Sequence, residues 1–278
     1  NAVHKARALQ YAVELREAEK KNNKDIYVFH LDDESLITTQ TLCSILSFLE
    51  DNPLPISEGL IIYPVKQGDK IGITNLIDTL RPFCCFECID FMSRGNPAYI
   101  HGSNLLVRSD VERDVGWNNG KTIAEDTLFA VAAKRKFGTK VFGWHGGVIE
   151  EKSPYTLKDL VKQRKRWFYG LVQNLRYIAL RDKISQIIRG VIWSFGFLSG
   201  LISIFVFFIP QYIPDMLRIV FLVTSIMWLA SYQIGAFLNG KYLSPARRVH
   251  LHFLTLISTP IIGLIECSTA ILSLISKP

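Results

Sequence analysis

Charge disappears from two long stretches of this chain. No Asp, Glu, Lys or Arg occurs in residues 190–214 or in residues 219–240. As a helix, either stretch is long enough to cross the roughly 30 Å hydrocarbon core of a bilayer. A third apolar stretch, residues 251–275, is interrupted by Pro260 and Glu266. It reads either as a third span or as a buried helical hairpin. Residues 187–278 are therefore expected to form a membrane region of about three transmembrane helices. With 49% hydrophobic residues overall, the chain is apolar for a purely soluble protein.

The charges that remain are informative in their placement. Residues 187–278 hold six Lys or Arg against Asp215 and Glu266, so +4 of the net charge of +7 lies there. The first 186 residues carry only +3, which argues against a nucleic-acid partner. Lys241, Arg247 and Arg248 concentrate in residues 239–251, whereas residues 210–215 have no Lys or Arg. By the positive-inside rule the 239–251 loop is cytosolic, and counting back two spans places the N-terminal domain in the cytosol as well. A cytosolic domain keeps Cys43, Cys84, Cys85 and Cys88 reduced. Cys85 and Cys88 have a zinc-like spacing, but no second pair completes four ligands, so apolar packing is the reading preferred. No signal peptide is visible, and the chain opens directly in a helical pattern, as a segment of a longer protein would.

Ahead of the apolar region, strand and helix patterns alternate. Helices are predicted over residues 3–20, 38–49, 71–92 (kinked at Pro82), 124–137 and 156–180, and strands over 26–31, 59–65, 105–108 and 140–144. The alternation implies an α/β fold.

Three charged constellations are set on this frame. Asp32-Asp33-Glu34 follows the strand 26–31 directly, where ligands gather in open α/β sheets. If that segment stays extended, Asp32 and Glu34 point to one side and can share Mg²⁺ or Mn²⁺ with a ligand's phosphates. The competing reading is a solvated acidic turn before the next helix. Glu125-Asp126 opens the helix 124–137, either as partners of its dipole or as a general base for an acceptor hydroxyl. Gln163-Arg164-Lys165-Arg166-Trp167 puts Gln163, Arg166 and Trp167 on one helical face. That face suits a diphosphate and a sugar ring, and the helix as a whole also suits lipid headgroups. Glu266, an acid within an apolar stretch, is a further candidate ranked below these.

The order of these pieces, together with His30-Leu31-Asp32-Asp33-Glu34-Ser35, His101-Gly102-Ser103 and Glu151-Lys152-Ser153-Pro154-Tyr155-Thr156, resembles the membrane-bound family 2 glycosyltransferases that include cellulose and hyaluronan synthases. More narrowly it resembles the egghead-type β-1,4-mannosyltransferases. The resemblance implies a GT-A-type catalytic domain over 1–150, interfacial helices over 151–186 and the membrane region over 187–278. It also implies an N-terminal part, with a first nucleotide-binding strand, that this chain does not contain. The implied reaction is inverting transfer of a sugar from a nucleotide-sugar donor, with mannose from GDP-mannose going to a lipid or glycan acceptor such as glucosylceramide. By the same resemblance Asp126 is the base with Glu125 beside it, and Lys5, Asp32, Gln163 and Arg166 bind the donor. Gly102, Ser103 and Trp167 border the acceptor, and Asp32 and Glu34 hold Mn²⁺ or Mg²⁺. The protein would be integral to the endomembranes (ER or Golgi) of a eukaryote or to a bacterial plasma membrane, its catalytic domain cytosolic. The alternatives are a processive polysaccharide synthase and, from another class, a non-catalytic membrane scaffold or transporter.

Overall fold

The computed structural model describes residues 5–51, 53–94, 100–208 and 213–275. The chain alternates between two compact units. One comprises residues 1–61, 84–151 and 169–186, and the other residues 62–83, 152–168 and 187–278.

The first unit is built on a four-stranded sheet in the order β1-β3-β2-β4, with β1 Tyr27–His30, β2 Ile56–Ile62, β3 Leu105–Arg108 and β4 Phe142–Glu150. Strand β3 runs antiparallel to both of its neighbours. The register pairs His30 with Leu105 and Glu58 with the same Leu105. Residues that follow β1 therefore lie beside residues that precede β3. Every residue of β2 is buried, as expected for an interior strand. Helices α1 (Lys5–Ala18), α5 (Ser109–Val115) and α6 (Glu125–Phe137) supply Ala6, Val13, Val111, Phe129, Ala130 and Ala133 to a core shared with Ile56, Leu105, Val107 and Trp117. Trp117 stacks on Phe129 with ring centroids 4.3 Å apart.

Local chemistry accounts for the element ends. Helix α2 (Thr39–Glu50) starts where the Thr38 hydroxyl accepts the Thr41 backbone N–H at 3.1 Å. Gly116 and Gly138, at φ +64° and +84°, end α5 and α6 in a conformation that glycine takes without strain. The helix predicted over 71–92 is instead α3 (Ile73–Ile77), a 3₁₀ turn (Asp78–Leu80) and α4 (Arg81–Ser93). Pro82 does not kink a continuous helix. It sits in the first turn of a new one, where its missing N–H leaves no bond unmade. Sequence patterning also overlooks α5 and shortens β4.

The second unit is largely helical. It holds residues 157–168 of helix α7 (Leu157–Asn174) and residues 187–208 of helix α8 (Leu180–Phe208). Among the described residues two helices, α9 (Asp215–Asn239) and α10 (Pro245–Ile275), are long and apolar enough to cross a membrane. The stretch expected as a span over 190–214 falls mostly within α8, and residues 209–212, in the turn that the topology argument uses, lie outside the described residues. Helix α10 passes through Pro260 unbroken. Pro inside an apolar helix is tolerated where neighbouring groups satisfy the freed backbone. Between α9 and α10, the Ser244 N–H donates to the Gln67 side chain at 3.0 Å, and Arg247 donates to the Asp69 carbonyl. The basic loop thus lies against residues 67–69.

Candidate active site

The antiparallel register is what assembles the site. It carries the turn after β1 to the segment before β3, so the Asp32 N–H donates to the Ser103 hydroxyl at 3.2 Å. Ser35 Oγ lies 2.9 Å from the same hydroxyl and donates to the buried Glu151 carboxylate at 3.0 Å. Lys5, at the start of α1, reaches Asp32 Oδ1 at 2.5 Å and the Gly102 carbonyl at 3.4 Å. Burial acts to lower the Lys5 pKa, but the hydrogen bond and charge of Asp32 outweigh it and leave the ammonium raised. A β-carbon placed on Gly102 would stand 3.2 Å from Asp126 Oδ2 and 3.3 Å from Lys5 Nζ. Lys5, Asp32, Gly102, Ser103 and Asp126 thus converge, with Glu125 next to Asp126 along α6.

Asp126 is the titratable centre of this group. It lies in the first turn of α6, and its Oδ1 accepts the Thr127 N–H at 2.7 Å. A helix N-terminus ordinarily favours an ionised acid. Burial and the neighbouring Glu125 charge override that preference and push the Asp126 carboxyl up to about 7. It is therefore poised to take up a proton near neutral pH.

The supporting layer was not anticipated from the sequence. Glu58, fully buried on β2, accepts the His101 N–H at 2.5 Å, and burial lifts its carboxyl well above the usual range. Asn104 adopts φ +57° and donates to the Leu60 and Gly147 carbonyls at 2.9 and 3.0 Å. His145 Nδ1 accepts from the Gly147 N–H, so its Nε2 is the donor, to the Asn104 carbonyl at 3.1 Å. Burial pushes this imidazole down to about 4, which keeps it neutral. These bonds fix the chain on either side of Gly102 and Ser103. The strand read from the sequence began at residue 59, so Glu58, the first acid before it, drew no attention.

The acidic triplet is not extended. The Ser35 N–H bonds back to the Asp32 carbonyl at 3.1 Å, and Asp33 and Glu34 occupy an exposed turn. Alternation along a strand therefore does not place Glu34 beside Asp32. Among the described residues no three His, Cys, Asp or Glu side chains gather to hold a metal ion. Asp32 alone fits a divalent cation of the kind that takes most of its oxygens from a ligand's phosphates and water, since its side chain remains 43% exposed. Cys85 and Cys88 are buried, Cys88 against Leu171.

The remaining sequence candidates belong to the second unit. Arg166 on α7 is exposed. Gln163 Oε1 accepts from Arg164 at 2.7 Å. The Trp167 ring carries two cations, with the guanidinium carbons of Arg164 and Arg81 at 4.2 and 4.4 Å from its centroid. Arg164 is buried in ion pairs with Asp78 and Glu266.

Comparison with known proteins agrees with this arrangement. Residues 27–238 match the family described as glycosyl transferase family group 2. The chain is 35% identical over 177 residues to the beta-1,4-mannosyltransferase bre-3 of Caenorhabditis briggsae, which covers 62% of this chain and 38% of that protein. Identity to bre-3 of Caenorhabditis elegans is 36% with the same coverage. Identity to the beta-1,4-mannosyltransferase egh of Drosophila melanogaster is 33%, over 66% of this chain and 40% of that protein. The chain thus spans about two fifths of the length of the curated relatives it matches. Its α/β domain, followed by apolar helices, is the GT-A arrangement expected from the sequence. By the match over residues 27–238, the chain belongs to glycosyltransferase family group 2.

Proposed function

We propose that this chain carries the catalytic machinery of an inverting β-glycosyltransferase working at a membrane, which moves mannose from GDP-mannose onto a glycolipid such as glucosylceramide. One observation carries the reading: a carboxyl tuned to about 7 at the head of α6 faces the Lys5–Asp32 pair across the small residue Gly102. Family membership and the relatives named as beta-1,4-mannosyltransferases support the sugar and the linkage.

In this reading Asp126 accepts the proton of the acceptor hydroxyl as the oxygen attacks the anomeric carbon. The bond from that carbon to the diphosphate breaks on the opposite side, so an α donor gives a β product, and the nucleoside diphosphate leaves with its electron pair. Gly102 and Ser103 border the acceptor, and Glu125 keeps Asp126 basic. Lys5 orients Asp32 and adds positive charge on the donor side. Gln163 and Arg166 contribute donor contacts by their place in the family motif, and Trp167, its ring engaged by two guanidinium groups, borders the acceptor by the same motif. A bound Mn²⁺ or Mg²⁺ supplies charge to offset the leaving diphosphate. Asp32 would hold it, and Glu34, in the exposed turn two residues on, is the second carboxylate that the family motif offers. The two apolar helices support a reaction at a membrane, and the Lys and Arg of residues 239–251 support a cytosolic side for that loop.

The test uses purified protein in detergent with a panel of nucleotide sugars and glucosylceramide. The expected outcome is GDP release from GDP-mannose that depends on acceptor, stops in excess chelator and returns with Mn²⁺ or Mg²⁺. Absence of turnover with every donor overturns the reading in favour of a scaffold, and long product chains overturn single transfer in favour of a polysaccharide synthase.

A further inference from the structure

Arg164 is the largest fully buried side chain of the motif helix, 1% exposed. It donates through Nη2 to Asp78, in the 3₁₀ turn, and its Nε lies 3.3 Å from Glu266, in the apolar helix α10. Both carboxylates are fully buried. On α10 the buried positions Ile262, Glu266, Thr269 and Ser273 recur every three or four residues, so Glu266 points inward rather than toward lipid. The turn that carries Asp78 is itself fastened to the other apolar helix. Asn239 Nδ2 donates to the Asp78 carbonyl at 3.2 Å, and Asn239 Oδ1 accepts the Tyr63 N–H at 2.9 Å. Gly235 on α9 approaches the Thr79 backbone so closely that a β-carbon has no room. The groups that face Arg164 are the carboxylates of Asp78 and Glu266, the Gln163 amide and the Trp167 ring. Arg81 supplies a second positive charge to Asp78 and lies over the same ring.

A guanidinium can bond two carboxylates and stack on an indole at once, because its donors lie in one plane and its face is weakly hydrated. An ammonium offers one point charge and cannot do all three. We propose that Arg164 is a positioning residue: held between Asp78 and Glu266, it sets Trp167, and with it the neighbouring Arg166, at one fixed place against the apolar helix α10. In this account Glu266 is neither a proton carrier nor a transport site. It is the helix α10 half of an ionic joint whose other half is the motif helix. The effect on turnover rests on the glycosyltransferase reading. The joint itself does not.

The experiment compares Arg164→Lys, Arg164→Gln, Glu266→Gln and the double variant Arg164→Gln/Glu266→Gln in detergent, each with and without Trp167→Phe. Three quantities are read: the thermal midpoint, the Trp167 contribution to emission, and kcat and KM for the donor. Each single neutralisation leaves a buried charge unmatched, so both lower the midpoint, and the double variant recovers most of that loss. The recovered double variant still has a red-shifted Trp167 contribution and kcat reduced about tenfold or more, with KM for the donor within about twofold, because positioning acts on the transition state more than on donor binding. Arg164→Lys rescues neither signal. A double variant no more stable than the singles overturns the joint. A stable double variant, or Arg164→Lys, with unchanged emission and kcat overturns the positioning role. If the unmutated protein transfers no sugar, the proposed function fails, and the stability and emission readings alone decide this inference.

Discussion

Each unit of this chain gathers unlike charges, and the two gatherings are built to opposite rules. Around Asp126 the acids outnumber the cations. Glu125 and Asp32 both raise its pKa, and only Lys5 opposes them from a side chain. Around Arg164 the balance closes, since Asp78 and Glu266 face Arg164 and Arg81. Exposure differs in the same sense. The Lys5 and Asp32 side chains are 38% and 43% open, whereas those of Arg164 and Asp78 are 1% and 0% open. A proton acceptor has to stay under-compensated and within reach of substrate, and it stores instability in doing so. A joint has to be compensated and dry.

The largest expected effect tests the under-compensated side. Asp126→Asn should lower transfer by about 10²–10⁴-fold, the usual worth of a general base, while donor affinity stays within a few-fold. Product formation and donor titration separate the two quantities. The same variant should stabilise the fold at high pH. A folded-state pKa of about 7 lies above the unfolded value of an Asp, so the folded protein binds the extra proton between about pH 4 and 7 and loses stability as pH rises through that window. The thermal midpoint of the variant should therefore exceed that of the parent at pH 8 and match it near pH 4. Equal midpoints at both pH values would remove the contrast between the two sites.

Next in size is the pH profile. If Asp126 acts unprotonated, kcat/KM should fall about tenfold per unit below pH 6 and level off above about 8. His145, neutral and committed at both nitrogens, should not contribute a limb, and an unchanged profile in Asp126→Glu would assign the titration elsewhere.

A smaller loss is expected for Gly102→Ala. The added carbon stands 3.2–3.3 Å from Asp126 and Lys5, so both must give by a few tenths of an ångström. About tenfold slower transfer with an unchanged thermal midpoint is the expected pair of readings. A drop in midpoint instead would make Gly102 a packing residue.

The smallest effect should come from Lys162→Ala, an exposed position on the motif helix. Less than about twofold change in transfer is expected. A loss as large as that from Arg164→Gln would mean that the helix acts through its total charge at the lipid surface, and the joint would lose its special status.

Much of the cluster around Asp126 could be read in advance as a gathering of residues. Lys5, Asp32, Gly102, Ser103 and Asp126 are separated widely in sequence, yet motif order located each of them, and the His30–Leu105 register explains why they meet. The turn at Asp33–Glu34 was not legible, because alternation presumes a strand that had already ended at His30. Glu58 stayed hidden because a buried neutral acid has the same letter as a solvated one. In the motif helix Arg164 went unread for a different reason. Spacing of three and four residues grouped Gln163, Arg166 and Trp167, but periodicity does not say which face turns inward. The burial of Arg164 is decided by Asp78 and Glu266, 86 and 102 residues away in sequence.

The pairing of β1 with β3 has a practical consequence. Side chains alternate along a strand, so a slip of one residue would turn core positions outward and be rejected during folding. A slip of two would keep the same faces inward while carrying Asp32 about 7 Å from Ser103. Molecules trapped in that register would be compact, helical and soluble in detergent, and catalytically silent. For this protein, turnover per molecule reports alignment errors that spectroscopy and melting curves pass over, and it is the quantity by which preparations should be ranked.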